Sequence, residues 1–272
     1  MLYIVATPIG NLGEITYRAV EVLQQVDAVL CEDTRHTRVL LDRYDIKKSL
    51  VSYQKFNERE KADYIVGRLK AGENLALVSD AGMPIISDPG KVLLEEVIKE
   101  GLDYTVISGP CALINAIVLS GMDASAFCMM GFLPEKTVDK KRHLARFKEL
   151  TATLVMYVPP HDARQTLEFL YSELGARKVA LVREISKLHE EVVRGTLGEF
   201  PGFTEKGEFV LVIEGAKEKS NELNELTIVQ HVDSYINSGL DKKDAMKRTA
   251  ADRKVSKSEI YATYEREKDG KR

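Results

Sequence analysis

Leu75-Ala76-Leu77-Val78-Ser79-Asp80-Ala81-Gly82-Met83-Pro84, continued by Ser87-Asp88-Pro89-Gly90, is the stretch on which the fold turns. Its four leading apolar residues run without a polar interruption, which suits a strand covered on both faces. A segment with two glycines and two prolines follows, the composition of a tight turn. Residues 91–100 then place Leu94, Val97 and Ile98 at helical spacing. Strand, turn and helix in that order form half of a βαβ unit. Outward from this point the unit repeats. Residues 2–6, 28–31 and 104–107 are short apolar runs, and residues 15–25 and 58–70 are amphipathic at a period near 3.6. The predicted class is α/β with a mostly parallel first sheet.

The pattern restarts beyond a helix at 113–119. Strands are expected at 127–130, 153–158, 179–183, 192–195 and 209–214, with helices at 140–150 and 163–174. Fewer helices per strand predict a mixed second sheet. A third piece follows, with helices at 228–237, 242–251 and 256–267. Ser256 is a natural N-cap with Glu259 as its capping-box partner, and the spacing is that of a helix-turn-helix. The expected division is an N-terminal α/β domain (1–119), a C-terminal α/β domain (120–219) and a helical tail (220–272). One continuous α/β domain is the alternative to the first boundary.

Composition bounds the rest. In 272 residues, 39 Lys and Arg face 42 Asp and Glu, a net charge of −3. Nothing in that balance marks the whole chain as a nucleic-acid binder. With 44% apolar and 30% charged residues, a packed core is expected. Cys31, Cys111 and Cys128 are too few and too scattered for a disulfide framework or a zinc site, and no metal site is expected. No basic leader and no apolar stretch of about 18 residues appears, so a cytoplasmic protein without a membrane segment is expected.

Turns that follow apolar strands are the candidate ligand-binding elements, because open α/β sheets bind at the carboxyl ends of their strands. There are four: Thr7-Pro8-Ile9-Gly10-Asn11, Glu32-Asp33-Thr34-Arg35, Asp80–Gly90 and Ser108-Gly109-Pro110-Cys111-Ala112. Glycine-rich phosphate loops and the usual hydrolase and metalloprotease motifs are all missing. A nucleoside-like ligand without phosphates, held by backbone and a few carboxylates, fits better. Any one of these turns alone is more often a plain connection.

Taken together with Gly131-Phe132-Leu133-Pro134 and Lys206-Gly207-Glu208, these motifs in this order resemble the tetrapyrrole methylase superfamily. The resemblance spans the whole chain. It is strongest to the ribosomal members, which 2′-O-methylate a cytidine in the decoding region of small-subunit (16S) ribosomal RNA. It implies two α/β domains with S-adenosyl-L-methionine between them, and a homodimer. By position it implies that Pro8, Ile9, Asp80, Gly82, Met83, Pro110, Cys111 and Ala112 line the cofactor cleft, closed by Tyr157, Gly207 and Glu208. Where the family usually has Phe-Tyr-Glu-Ser-x-His-Arg, this chain reads Met156-Tyr157-Val158-Pro159-Pro160-His161-Asp162.

Methyl transfer to a hydroxyl calls for a base or a pKa-lowering cation. Glu184 is the expected base and Arg183 or Lys187 the electrostatic helper, since all three follow a strand; His36 and His161 are alternatives. A surface salt-bridge cluster is the competing reading of the same three. Two basic runs mark an expected RNA footprint. Lys136–Lys148 carries six cations against one carboxylate, and Lys242–Lys257 carries seven against two. Tyr261 and Tyr264 are candidate base-stacking rings, core packing being the safer reading. Two other functions compete: a tetrapyrrole (small-molecule) methyltransferase, which needs no basic runs, and a non-catalytic ribosome-assembly RNA-binding factor.

Overall fold

The computed structural model describes residues 1–217 and 222–269. These form two compact units, Met1–Ala216 and Lys217–Arg272.

In the first unit, strands β1 (Leu2–Val5), β2 (Ala28–Cys31), β3 (Ser49–Ser52), β4 (Leu75–Val78) and β5 (Tyr104–Ile107) make one sheet in the order β3-β2-β4-β1-β5. Every pairing is parallel, with Ile4 of β1 opposite Leu77 and Val106. Helices α1 (Tyr17–Gln25), α2 (Thr34–Arg43), α3 (Glu58–Lys70) and α4 (Lys91–Lys99) cover it. Side-chain alternation sorts the strands onto the two faces. Ile4, Leu30 and Leu77 pack with Ile65, Leu69, Leu93 and Val97 of α3 and α4. Val5, Val29 and Val78 pack with Ala19, Val22, Leu23 and Leu41 of α1 and α2. Both faces are therefore dry, which is why β2 and β4 read as unbroken apolar runs. Thr16 caps α1 by accepting the Ala19 N–H, and Asp33 caps α2 by accepting the Arg35 N–H.

The second sheet holds β6 (Phe127–Gly131), β7 (Thr153–Val158), β8 (Lys178–Arg183), β9 (Glu191–Thr196) and β10 (Phe209–Ile213), in the order β6-β7-β10-β8-β9. Only β6–β7 is parallel; the other pairings are antiparallel, a mixed sheet. Helices α6 (Thr137–Ala145) and α7 (Ala163–Leu174) cover one face. Helix α5 (Ala112–Ser120) covers the other, through Leu113, Ala116 and Ile117 on Val155, Val182, Val210 and Val212. Although α5 falls inside the expected 1–119 segment, it packs on the second sheet. The boundary expected at 219/220 lies outside the described residues.

Two expectations need correction. Strand β3 is additional to the predicted strands, because Ser49-Leu50-Val51-Ser52 is an edge strand with only half-buried apolar residues. Helix α6 starts three residues early and ends at Ala145; residues 146–149 turn instead, which buries Phe147 in the core.

The second unit is three helices, α8 (Ile228–Asn237), α9 (Lys242–Arg253) and α10 (Lys257–Asp269). Val232, Met246, Ala250, Ile260 and Tyr264 form its core. Thr227 and Gln230 make a reciprocal capping box on α8, and Ser256 accepts the Glu259 N–H. Among the described residues, no helix is long and apolar enough to cross a membrane.

Candidate cofactor cleft

Five strand ends of the first sheet deliver their following loops to one edge. A cavity of about 470 Å³ opens there. From the first sheet it is lined by Ile9 after β1, Glu32 after β2, and Cys111 and Ala112 after β5. The loop after β4 contributes Asp80 to Met83 and Ile86 to Asp88. The second sheet closes it with Phe132, Tyr157 to Pro160, Ile185 and Glu208 to Val210. The Tyr157 and Phe132 rings sit 5.3 Å apart at 32°.

The β4 loop is held by backbone. Thr7 and Gly82 exchange N–H···O bonds of 2.9 and 3.1 Å, and the Thr7 hydroxyl donates to the Ser79 carbonyl at 3.0 Å. This ties the β1 and β4 loops into one wall. Asp80 Oδ1 accepts the Asp33 N–H at 3.2 Å, which ties in the β2 loop. Ile85 and Ser87 take left-handed backbone, φ +76° and +71°. For β-branched Ile85 this is a strained conformation.

Four carboxyl groups line this cavity, Glu32, Asp80 and Asp88 from the first sheet and Glu208 from the second. Burial, then the charges of Glu32 and Asp80, pushes the Asp88 carboxyl up to about 6. Burial and the Asp80 charge raise Glu32 as well. Burial, with Cys111 and Asp88 nearby, pushes the Tyr157 phenol up to about 12, so it stays protonated.

Ile9, Asp80, Gly82, Met83, Cys111, Ala112, Tyr157 and Glu208 all lie on the cavity wall. Pro8, Pro110 and Gly207 stand one residue outside it, beside Ile9, Cys111 and Glu208. Glu32, Asp88, Phe132 and Val158 are wall residues that the sequence pattern does not single out. The strand-end rule reaches the first two, since both follow parallel strands in turns already named as candidates.

Arg183, Glu184 and Lys187 do not line the cavity; Ile185 between them does. Glu184 Oε1 accepts from Lys187 Nζ at 3.0 Å and from the Glu208 N–H at 2.8 Å, while its own N–H donates to the Glu208 carbonyl at 3.0 Å. Lys187 Nζ also reaches Glu208 Oε2 at 2.9 Å. Burial alone would raise the Glu184 pKa, but the Glu208 N–H and Lys187 outweigh it and the net shift is downward. Burial alone would lower Lys187, yet Glu208 and Glu184 hold it protonated above its usual range. The room for this brace comes from two glycines. A Cβ on Gly207, where φ is +99°, would lie 2.6 Å from the Glu184 carboxylate; one on Gly10 would lie 2.5 Å from the Lys187 stem. Arg183 is spent elsewhere, donating to the carbonyls of Lys206 (2.5 Å) and His189 (3.2 Å). His161 is an exposed neighbour of Asp162 and does not line the cavity.

In the three-helix unit, some of the basic residues serve the fold. Arg253 donates to His231 Nδ1 and to the carbonyls of Leu223 and Leu226. Lys242 pairs with Glu265 and Lys268 with Asp233. Lys243, Lys247 and Lys257 are exposed. Tyr264 is core, donating to Asp233 at 2.5 Å, whereas Tyr261 is 56% exposed.

The model of the family described as tetrapyrrole (corrin/porphyrin) methylases matches residues 1–201. A ribosomal RNA small subunit methyltransferase I from Halalkalibacterium halodurans is 42% identical over 274 residues, covering 98% of this chain and 95% of that one. Its namesake from Bacillus subtilis is 39% identical over 273 residues, covering 97% and 94%. Among solved structures, uroporphyrin-III-C-methyltransferase from Thermus thermophilus has a TM-score of 0.55 at 20% identity, over 78% of this chain and 93% of that one. Diphthine synthase has a TM-score of 0.59 at 14% identity, over 79% and 89%. Those two structures share the fold: paired α/β sheets, as the strand order here displays. The chain belongs to the tetrapyrrole methylase family, in the group that holds the small subunit methyltransferase I proteins.

Proposed function

We propose that this protein methylates a ribose 2′-hydroxyl of a cytidine in the decoding region of small-subunit ribosomal RNA. The coarser reading, a methyltransferase acting on ribosomal RNA, follows from relatives that match nearly the full chain and carry that name. S-adenosylmethionine is the cofactor of the family, and when bound it supplies an electrophilic methyl group on a sulfonium. The cavity suits it in chemistry. Its volume lies within the roughly 300–1,000 Å³ of small-molecule sites. Apolar Ile9, Met83, Phe132 and Val210 would hold a planar base, and Asp80 and Glu32 would complement a cation. Among the described residues, no phosphate-binding glycine loop or cation lines it. That acidic, phosphate-free wall is the observation that carries the reading.

The chain's own contribution is alignment and exclusion of water. The Thr7–Gly82 bridge fixes one wall and Phe132 with Tyr157 forms the other. Glu184, Lys187 and Glu208 brace the second wall against the β1 loop; we assign Glu184 and Lys187 a positioning role and Arg183 a structural one. For RNA we propose contacts by α9 and α10, where Lys243, Lys247, Lys257 and Tyr261 are exposed, and by the Lys136–Lys148 run. Domain limits at 119/120 and 219/220 belong to the proposal as well. So does a homodimer, supported by the exposed apolar residues Tyr104 and Val106 on edge strand β5, Val118 on α5 and Phe127 on edge strand β6.

The test is transfer of labelled methyl from S-adenosylmethionine to small subunits, naked RNA and tetrapyrroles, followed by nucleoside analysis. Label in 2′-O-methylcytidine of small-subunit RNA is expected. Label in a base, or in a tetrapyrrole alone, would overturn the reading.

A further inference from the structure

A hydroxyl nucleophile must lose its proton to something. A useful acceptor is ionised at working pH, has open lone pairs and faces the reacting atoms. Glu184 has its Oε1 taken by two donors and does not line the cavity. Asp88 is built in the opposite way. Its half-buried carboxyl lines the cavity. Among the described residues it makes no hydrogen bond and no ion pair. The charged and titratable groups around it are Glu32 at the end of β2, Asp80 after β4, Cys111 after β5, and Tyr157 and Glu208 from the second sheet. None of them is a cation.

The geometry points to Asp88 as the proton acceptor of the methyl transfer, taking the hydroxyl proton of the nucleophile inside the cavity. The inference rests on the methyl-transfer reading above and names the group that completes it. In the step, the ribose 2′-oxygen bonds to the methyl carbon, and the carbon–sulfur bond breaks with its electron pair going to sulfur. The proton goes to an Asp88 oxygen. The sulfonium and the carboxylate are both neutralised, so charge balances.

Two further features support this. A carboxyl lifted to about 6 is a stronger base than an ordinary aspartate and is still mostly ionised at neutral pH. The loop that carries it is held by atoms other than the Asp88 carboxyl. Glu58 accepts the Gly90 N–H at 2.5 Å, and the left-handed turn at Ser87 sets its direction. Asp88→Asn therefore breaks no bond on which the loop depends.

The experiment uses the full chain, small subunits as methyl acceptor, and S-adenosylmethionine and S-adenosylhomocysteine as binding probes. Asp88→Asn should lower single-turnover methyl transfer at neutral pH by about a hundredfold or more. Calorimetric affinity for both probes should stay at the wild-type value, and the fall in rate on the acid side that the wild type shows should disappear. Asp88→Glu should recover part of the rate. In the cofactor-free protein, carbon-13 NMR should find a carboxyl titrating near 6 that Asp88→Asn removes. A wild-type rate and acid limb in Asp88→Asn would overturn the proposal, and so would a loss matched by an equal loss of affinity for both probes. Wild-type protein that binds S-adenosylmethionine yet labels no small-subunit RNA defeats the substrate reading itself, ahead of any comparison of variants.

Discussion

Two charge clusters flank the same cleft and are built on opposite plans. In the brace of the second sheet every charge is paired: Glu184 with Lys187, Lys187 with Glu208, Arg183 with Glu191 and two carbonyls. In the loop after β4, Asp88 faces Glu32 and Asp80, and no cation among the described residues pairs with it. Both use non-glycine residues in left-handed backbone, Glu184 and Ser186 in one and Ile85 and Ser87 in the other. Paired charges fix geometry and lower a carboxylate's basicity. Unpaired charges cost stability and raise it. The first plan suits a wall, the second suits a reacting surface.

The comparison can be broken from either side. The largest effect is expected from Gly207→Ala. Its Cβ meets the Glu184 carboxylate at 2.6 Å in a backbone conformation that disfavours any side chain. Overpacking and strain together should lower unfolding free energy by about 2–3 kcal/mol. A denaturation midpoint at the wild-type value would show the brace to be loose. Next comes Lys187→Met, which strands two carboxylates, one of them with a side chain only 17% exposed. A cost of about 1–2 kcal/mol is expected in urea unfolding. The Glu184 pKa is lowered in the fold, so its stabilisation exists above its unfolded value and fades as pH falls through the folded one. Lys187→Met should shrink that acid-side loss.

Asp88→Asn should act in the reverse direction. A carboxyl raised to about 6 in the fold penalises the native state above pH 6, and the penalty vanishes below its unfolded value. The variant should therefore be more stable than wild type by about 1–2 kcal/mol at pH 7.5, allowing for solvent screening of a half-buried group, and equal to it at pH 3.5. Equal stability at both pH values would mean that Asp88 is already relieved by a partner. The smallest change in stability, within about 0.5 kcal/mol, belongs to the triple variant Lys243→Ala, Lys247→Ala, Lys257→Ala. It should nevertheless weaken RNA binding and reduce the salt slope by about one for each phosphate that α9 and α10 no longer neutralise. An unaltered slope would remove these helices from the RNA footprint.

Much of this is legible in the sequence for a physical reason. Parallel strands buried on both faces leave continuous apolar runs, and the turns that line the cavity follow them at fixed positions, so the turns that carry Ile9, Asp80 and Cys111 can be placed from the residue order alone. Edge strand β3 lacks that signature. The packing of α5 is hidden because Leu113-Ile114-Asn115-Ala116-Ile117-Val118 is apolar nearly all round, and such a helix does not reveal which sheet it covers. The brace is visible in the sequence as a cluster of charges, but its role is not. Residues three apart in a loop carry no signal of whether a carboxylate points at the ligand or at its neighbouring lysine. That depends on Gly10 and Gly207, which are distant in sequence and make the room.

The most direct measurement is the pH dependence of single-turnover methyl transfer to small subunits in wild type, Glu184→Gln and Asp88→Asn. If the paired cluster positions and the unpaired carboxyl reacts, Glu184→Gln keeps the wild-type acid limb at lower amplitude, and Asp88→Asn loses it. An acid limb abolished by Glu184→Gln and preserved in Asp88→Asn would contradict the assignment.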